Sequence, residues 1–549
     1  MNQLIQKYTL VSLILGLSAT TTFAQNRNDK DTTFKSQTLD FYSTYKPEVA
    51  PAPKPKFIPA LPKADTGKPH LTYDVPELST TYTYQAKAIK PLSLKRDAEV
   101  LPFANYLKLG IGSQNSVLVD AGYAGLKGEN FETIFHFNHF SQKGRFVQHQ
   151  KWSQNTLDAI ANIYLDKGTL KLDAQGDRRA FRDYGYNNDI YSFLEKDILN
   201  VYSGLNLAAQ YTPIGTLAWN IKAQPKVELY WWNNKMGATE GNVDVELPIS
   251  KDIDSSITIA FDIKTALTQF TDDSFHTFGN NYLQINPVVS LRYDYFTAKI
   301  GIKPVVGKYN NFLLPDIAAS GLILNDQLKW LVGWEGKLNQ NTYKELSLFN
   351  PYMQTYYTPI HGRENFLYAG FETFLGPHLT IGATAGYKSW RNKALFYNDY
   401  INSVDGSKFE IIYDDIKAIV LNAKVQYQFN DNLEIGGSAD MNFFKPFNPS
   451  RVQQMPGFAL TAHAKFKPIQ KLYLGADLIF YENRYALNAA NDFIKMPTIL
   501  DLNLNASYDV HKRFTVFAQV DNLFNYHYEY WNQYRSVGLA LLTGLRFKF

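Results

Sequence analysis

The sequence GLALLTGLRFKF, residues 538–549, decides the fold class. Successive side chains of an extended strand point to opposite faces, so this stretch has one apolar and one polar face. The apolar face carries Leu539, Leu541, Leu545, Phe547 and Phe549, and the other carries Ala540, Gly544, Arg546 and Lys548. A strand of a soluble sandwich shows the same alternation, but a chain that ends on such a strand after a secretion signal favours another structure. The pattern predicts the closing strand of an outer-membrane β-barrel.

The first residues have the parts of a secretory signal peptide. Lys7 supplies a positive charge, residues 10–17 are apolar, and Thr22 and Ala24 offer small side chains for cleavage. The apolar part is too short to span a bilayer as a helix, and no later stretch approaches the roughly 18–20 continuous apolar residues of a membrane helix. We therefore expect residues 1–24 to be a signal peptide. Export leaves two alternatives, a soluble exported β-protein and an outer-membrane barrel.

The composition agrees with a membrane barrel. The chain of 549 residues contains 37 Tyr and 37 Phe, and aromatic residues make up 15%, a surplus that the aromatic girdles of such barrels would use. The formal net charge of +4 is too small to indicate a nucleic-acid partner. Because the chain has no cysteine, it has no disulfide, no thiolate metal site and no lipid-modified N-terminal Cys.

Residues 25–104 differ from the rest of the chain because they are rich in proline. The prolines lie close together: Pro47, Pro51, Pro53, Pro55, Pro59, Pro62, Pro69 and Pro76. Proline cannot donate to a β-ladder and favours the extended polyproline conformation, so we expect an arm in the periplasm rather than a folded domain. Two roles remain open for this arm. It is a flexible tether, or it enters the barrel or binds a periplasmic partner.

From residue 105 to residue 549 the chain reads as a series of alternating apolar and polar segments separated by turns. The alternation is almost without fault in residues 419–429, 433–443 and 500–509. In a bilayer the apolar set must face lipid and the polar set a lumen, and closure of the sheet pairs every backbone group. We expect residues 105–549 to form a transmembrane antiparallel β-barrel.

The connections between these segments indicate the barrel more strongly than the segments do. Every second connection is short: 125–130, 166–169, 212–215, 250–256, 294–297, 325–327, 375–378, 429–432, 467–471 and 509–513. The others are mostly long, near 140–156, 178–200, 231–242, 267–280, 305–314, 339–365, 389–409, 444–457, 481–497 and 522–537, and only the first, residues 112–116, is tight. Short turns on one rim and long loops on the other are typical of outer-membrane barrels. The count predicts about 22 strands, with both ends of the barrel on the periplasmic side.

The last fifty residues resemble the C-terminus of TonB-dependent receptors. The resemblance rests on residues 501–508 (DLNLNASY), residues 514–520 (FTVFAQV), the turn Asp521-Asn522-Leu523-Phe524-Asn525 with Tyr528, and the closing strand. It implies an outer-membrane barrel of the Bacteroidetes style, surrounded by lipid, for uptake or passage of solutes. The partner that it implies is TonB, or another periplasmic or envelope protein.

Those receptors also carry an N-terminal plug domain inside the barrel, preceded by a box that binds TonB. Residues 25–104 show neither a plug pattern nor a convincing box, so we expect a barrel without a standard plug. A barrel of 22 strands normally has its lumen plugged, because fewer strands already leave an aqueous channel. We therefore expect the long loops, the arm or a partner protein to fill the lumen.

Four clusters of residues are candidate sites, and the sequence assigns none of them a catalytic, cofactor or metal role. They are His136 with His139; Asp272 and Asp273 with Glu240 or Asp492; Arg178, Arg179 and Arg182; and Tyr352, Tyr356 and Tyr357. The histidines fall on opposite faces of a strand, and the acidic group lacks the ligand spacing of a calcium site. The arginines suit a solvated outer loop or a contact with anionic groups. The tyrosines suit loop packing, or stacking on sugars or another protein.

Two functions from different classes remain. We expect passage of a solute across the outer membrane, and the alternative is a scaffold subunit that binds other envelope proteins. Transport predicts a gated path through the lumen, whereas a scaffold predicts a blocked lumen and stable partners. No residues nominate an enzyme nucleophile, so we expect no enzyme activity and no cofactor.

Overall fold

The computed structural model describes residues 105–323, 327–376, 378–446 and 451–549. The predicted signal peptide at 1–24 and the predicted arm at 25–104 lie outside the described residues. In the described part of the chain, no helix has the length and apolarity needed to cross a lipid bilayer.

The described residues form strands connected by loops. The strands are β1 (Tyr106–Gly112), β2 (Val117–Tyr123), β3 (Phe131–Lys143), β4 (Lys151–Leu165), β5 (Gly168–Arg182), β6 (Leu199–Pro213), β7 (Ile221–Ala223), β8 (Lys226–Asn234), β9 (Thr239–Asp252), β10 (Ile257–Thr271), β11 (Thr277–Gly279), β12 (Tyr282–Tyr293), β13 (Phe296–Gly307), β14 (Asn311–Ile323), β15 (Leu328–Asn339), β16 (Gly362–Leu375), β17 (Leu379–Asn398), β18 (Phe409–Asn430), β19 (Leu433–Pro446), β20 (Phe458–Ile469), β21 (Leu472–Glu482), β22 (Tyr485–Leu487), β23 (Phe493–Lys495), β24 (Ile499–His511), β25 (Phe514–Asp521), β26 (Glu529–Trp531), β27 (Tyr534–Arg535) and β28 (Ala540–Lys548). Helix α1 (Tyr343–Phe349) lies between β15 and β16, and short 3₁₀ turns occur at Ala218–Asn220 and Val404–Gly406.

The strands close into one antiparallel barrel. The main sheet has 24 strands, and β1 pairs with β28 from Tyr106 opposite Lys548 to Gly112 opposite Leu542. Two of the 24 are short segments that do not add a position to the barrel. Strands β7 and β8 both pair with β9, and strands β11 and β12 both pair with β10, so each of these pairs occupies one position. This leaves 22 strands around the barrel. The predicted all-β barrel and its strand number are confirmed. Among the described residues, pairing of β1 with β28 closes the main sheet on itself.

The closing strand has the two faces that its sequence predicts. Leu541 and Leu545 are 47% and 56% exposed on the lipid side, whereas Ala540 and Leu542 are buried. We call the contact between β1 and β28, which closes the barrel, the seam. Gly544 lies opposite Gly110 on the inner side of this seam, and a Cβ at Gly544 would clash with the carbonyl oxygen of Leu109. The seam therefore requires glycine at this position.

The two rims differ as predicted, with corrections to individual connections. The connection between β6 and β8 runs from 214 to 225 rather than ending at 215, because the chain forms a 3₁₀ turn and the short strand β7 before β8 begins. On the other rim, residues 144–150, 235–238 and 308–310 are shorter connections than expected. Strands such as β18, with 22 residues, exceed the roughly 9–11 residues that span a bilayer. The sheet pairing continues beyond the membrane and shortens these loops.

Candidate functional site at the outer mouth

The connection between β15 and β16, residues 340–361, folds back over the mouth at the long-loop rim; we name it the central loop. Its helix α1 packs against inward-facing aromatic side chains of the wall, and Tyr343 is fully buried. The ring of Tyr343 lies 5.0 Å from that of Phe270 on β10, and the indole Nε1 of Trp232 on β8 donates to Ser347 Oγ at 2.9 Å. The wall residues face the lumen, since the alternate positions Trp231 and Leu267 are exposed outward.

The other side of the central loop packs on a distant part of the barrel. Met353 forms an isolated parallel bridge with Phe409 of β18, and the ring of Tyr352 stacks on that of Tyr534 with 3.5 Å between centroids. The same buried cluster includes Phe396 of β17. Strands β6–β10 lie six to ten positions away from β17 and β18 around the ring of 22 strands. The central loop therefore crosses the mouth from one wall to another.

A buried carboxylate holds the start of helix α1. Glu240, which is 1% exposed, accepts hydrogen bonds from the backbone N–H of Tyr343 at 2.7 Å and of Lys344 at 3.0 Å. The Tyr230 hydroxyl also donates to Glu240, at 2.9 Å. The first N–H groups of a helix lack partners within the helix, and a carboxylate there is favoured by the helix dipole. Thr342 caps the same end by accepting from the N–H of Glu345.

Further hydrogen bonds fix the rest of the central loop to its surroundings. The Tyr202 hydroxyl on β6 donates to the carbonyl oxygen of Pro351 at 2.9 Å. The hydroxyl of Thr355 donates to Asp273 at 2.5 Å, and the Tyr356 hydroxyl donates to Asp399 at 2.7 Å. These bonds join the central loop to strand β6, to the connection between β10 and β11, and to the loop at 399–408.

Two other outer loops are joined beside the central loop by buried amide groups. The side-chain amide of Asn532 donates to the side-chain oxygen of Asn398 at 3.0 Å, and the backbone N–H of Asn532 donates to the side-chain oxygen of Gln454 at 3.0 Å. The guanidinium of Arg484, which is 2% exposed, donates to the carbonyl oxygens of Glu529, at 2.7 Å, and Tyr530. Burial lowers the pKa of Arg484 to about 10. The segment 522–539 is therefore held in place by polar groups that water does not reach.

An ion pair links the outer loops 183–198 and 399–408. The Lys408 ammonium lies 3.6 Å from the carboxylate of Asp183, and the N–H of Asn187 donates to Asp405 at 2.8 Å. Burial raises the pKa of Asp183 to about 6, although Lys408 opposes the shift. The Tyr534 hydroxyl donates to the carbonyl oxygen of Ser407 next to this pair. This contact is consequently sensitive to pH near neutrality.

The lumen wall below the central loop is polar and charged. Three cross-strand rows of β8, β9 and β10 face inward: Trp232, Glu240 and Phe270; Tyr230, Asn242 and Thr268; and Lys226, Glu246 and Lys264. Glu228 and Asp244 form a further pair between the last two rows. From the central loop, the Lys344 ammonium lies 4.1 Å above the Tyr230 ring. Burial lowers the pKa of Lys344, while Glu228 and Asp177 act in the opposite direction. A solute below the loop would contact charges of both signs.

The structure separates the two histidines that the sequence singles out. His136 faces the lumen, where its ring nitrogens lie 3.0 Å from Asp120 and 3.1 Å from Asp158. His139 points to the opposite face and contacts Asn155 at 2.8 Å. In the ranges that the structure describes, no three His, Cys, Asp or Glu side chains are arranged to hold a metal ion.

The acidic group and the arginines serve local contacts. Asp272 accepts the backbone N–H groups of Ser274 and His276 in its own loop. Arg182 pairs with Glu195 at 2.7 Å, and Arg179 lies 3.7 Å from Asp177. The structure thus uses these residues within the loops and wall.

The three tyrosines whose sequence pattern suits loop packing or stacking on a ligand lie within the central loop. Tyr352 and Tyr357 are packed in its aromatic cluster, and Tyr356 is bound to Asp399. They therefore hold the loop together. Sequence reasoning missed the role of Glu240, because its partners lie about 100 residues away in the chain.

Comparison with solved structures supports the fold. The chain superimposes on the FrpB iron transporter from Neisseria meningitidis with a TM-score of 0.65 and 10% identity, covering 81% of each chain. The siderophore receptor PirA from Acinetobacter baumannii gives a TM-score of 0.63 with 9% identity, over 81% of this chain and 80% of that chain. The fold is that of a TonB-dependent receptor barrel.

A third structure has the same receptor-type barrel. The copper transporter OprC aligns with a TM-score of 0.61 and 13% identity, over 81% of this chain and 80% of that chain. No protein-family model and no curated protein matches the sequence. At these identities the likeness concerns the receptor-type barrel as a fold, and the resemblance noted at the C-terminus is confirmed at that level.

Proposed function

We propose that this protein passes a solute across the bacterial outer membrane through its lumen, with the central loop as the gate. The observation that carries the proposal is the central loop itself, which crosses the mouth of a wide barrel above a charged wall. A wide barrel without an obstruction would make the outer membrane leaky, so a closed resting state is required. The similarity of the barrel to iron, copper and siderophore proteins supports transport as the class of function.

The proposal includes the parts of the chain that precede the barrel. Residues 1–24 direct export, and residues 25–104 form a periplasmic arm that contacts TonB or another envelope protein. Such a partner would supply the force or the signal that releases the central loop. The protein acts without an enzyme activity and without a cofactor, with outer-membrane lipid around the barrel.

A reversible disulfide lock between the central loop and the barrel tests whether the central loop is the gate. Thr355 and Asp273 contact each other across the edge of the central loop, and the chain contains no natural cysteine. We expect the double variant Thr355→Cys and Asp273→Cys to form a disulfide on oxidation that holds the loop closed. Solute passage in cells should stop on oxidation and return on reduction, whereas each single variant should be insensitive to both treatments. Passage that continues through the oxidised double variant would contradict the proposal.

Conductance in planar bilayers shows whether the N-terminal arm or the central loop closes the pore. Because the central loop closes the mouth by contacts within the barrel, deletion of residues 26–100 alone should leave the pore closed. A large and steady conductance after this deletion would show that the arm is the gate.

A scaffold function is the second candidate, and one surface favours it. The outer loops present large apolar side chains to solvent, among them Ile190, Leu194, Phe275, Ile401 and Val404. Loops 183–198 and 399–408 are neighbours, so most of these side chains lie near one another. A scaffold would keep a stable envelope partner during purification and would show no passage when the central loop is released. The lock experiment and a pull-down therefore distinguish the two functions.

A further inference from the structure

The lipid-facing wall of the barrel contains a hollow of about 440 Å³ across β3, β4, β5, β6 and β8. This volume falls within the roughly 300–1,000 Å³ of sites that hold small ligands. Its position on the outside follows from exposure, since Phe135, Leu172, Leu207 and Leu229 in its lining are each exposed on the lipid side.

The strand register explains the hollow. One cross-strand row consists of Phe135, Ala159, Ala174, Leu207 and Leu229, and the next consists of Thr133, Ala161, Leu172, Ala209 and Val227. Ala159 and Ala174 are adjacent in the first row, and Ala161 and Ala209 lie on either side of Leu172 in the second. These four small outward-facing side chains leave a depression between the larger side chains at the ends of the rows. The lining is mostly apolar, with Thr133 at one edge and Asp173 as its charged member.

The depth of the hollow restricts its occupant. Its two rows lie about four and about six residues from the turn between β4 and β5, a height of roughly 10–15 Å for tilted strands. This places it within the hydrocarbon layer, in the half nearer the short-turn rim. Water gains no hydrogen bond there, so an apolar chain is the ligand that fits. In that turn, Lys167 is exposed, and it forms no salt bridge among the described residues.

We propose that the hollow is a binding site for one acyl chain of a phospholipid, with the phosphate near Lys167. The phospholipid belongs to the leaflet at the short-turn rim, which rests on the outer-membrane location in the proposed function. An ordered acyl chain would fill the space that the alanines leave and restore packing contacts along five strands. The site is independent of the central loop, so passage of solute and lipid binding can be measured separately.

The test is native mass spectrometry of the full-length protein released from detergent micelles, after supply of phosphatidylethanolamine. We expect one phospholipid to remain on the wild-type protein. Ala174→Phe fills the floor of the hollow and should reduce the retained phospholipid by at least about tenfold, through the loss of a few buried methylene contacts. Ala385→Phe is the matched control, because Ala385 is exposed on the lipid face of β17, away from the hollow.

Each outcome bears on the proposal. Loss of phospholipid in Ala174→Phe but not in Ala385→Phe supports it, and a smaller loss in Lys167→Gln supports the position of the phosphate. Equal retention by all variants, or no phospholipid on the wild-type protein, overturns it. A wild-type dimer that Ala174→Phe dissociates also overturns it, because a second copy of the chain would then occupy the hollow. Unchanged gel mobility before heating shows that each variant has folded.

Discussion

Removal of the Glu240 carboxylate should release the central loop. In Glu240→Ala, the backbone N–H groups of Tyr343 and Lys344 lose an acceptor at 2.7 and 3.0 Å, and the Tyr230 hydroxyl loses one at 2.9 Å. A hydrogen bond to a charged group contributes about 1.5–3 kcal/mol, and the cost of burying the carboxylate offsets part of the sum. A net loss of about 2 kcal/mol raises the open fraction about thirtyfold.

The assay is the frequency of openings of single barrels in planar bilayers. Glu240→Gln keeps one acceptor oxygen and should give an intermediate frequency. Glu129→Gln is the control, since Glu129 is an exposed carboxylate in a turn at the other rim. If folded Glu240→Ala opens no more often than the control, the carboxylate does not hold the gate and the reasoning is refuted.

Three further predictions concern the seam, the outer loops and the buried arginine. Gly544→Val should lower the free energy of unfolding in urea by about 1–3 kcal/mol, because a Cβ would clash with the carbonyl oxygen of Leu109. Gly176→Ala is the control and should have little effect, because a Cβ at Gly176 would meet open space. The pKa of Asp183 is raised to about 6, so the stability from its protonated form is complete below pH about 4 and is lost as the pH rises through about 6. Hydrogen exchange in residues 183–198, corrected for intrinsic rates, should therefore be slower near pH 5 than near pH 7, and Asp183→Asn should abolish the difference. Arg484→Met should accelerate exchange in residues 526–536, because the carbonyl oxygens of Glu529 and Tyr530 lose a charged donor that contributes about 1–3 kcal/mol. Arg484→Lys should restore part of the protection, and unchanged exchange in Arg484→Met would contradict this role.

The barrel was predictable from local sequence because its main constraint is local. A lipid-facing strand must alternate, so residues such as Leu541 and Leu545 reveal their face without any knowledge of their partners. The short turns were visible for the same reason, since polar and turn-forming residues interrupt the alternation. The strand ends at the long-loop rim were less predictable. Above the membrane, pairing is no longer required by lipid, and β17 and β18 continue because their outer residues pack in the aromatic cluster.

The closed mouth was not predictable from one sequence, because its contacts join distant parts of the chain. Glu240 binds the backbone N–H of Tyr343 at the start of helix α1, and nothing in the sequence around Glu240 indicates a contact with that helix. The tyrosines of the central loop are visible as a cluster in the sequence, but a buried tyrosine and an exposed one have the same local sequence signal. The lipid-facing hollow depends on alanines from three strands that meet only in the folded register.

The conductance of the purified barrel tests the central claim most directly. The wild-type protein should be compared in planar bilayers with a variant in which a short Gly-Ser linker replaces residues 341–360. We expect the wild-type barrel to stay closed and the variant to form a large and steady pore, since the segment that crosses the mouth is gone. A wild-type barrel that already conducts steadily, or a folded variant that stays closed, would contradict the account.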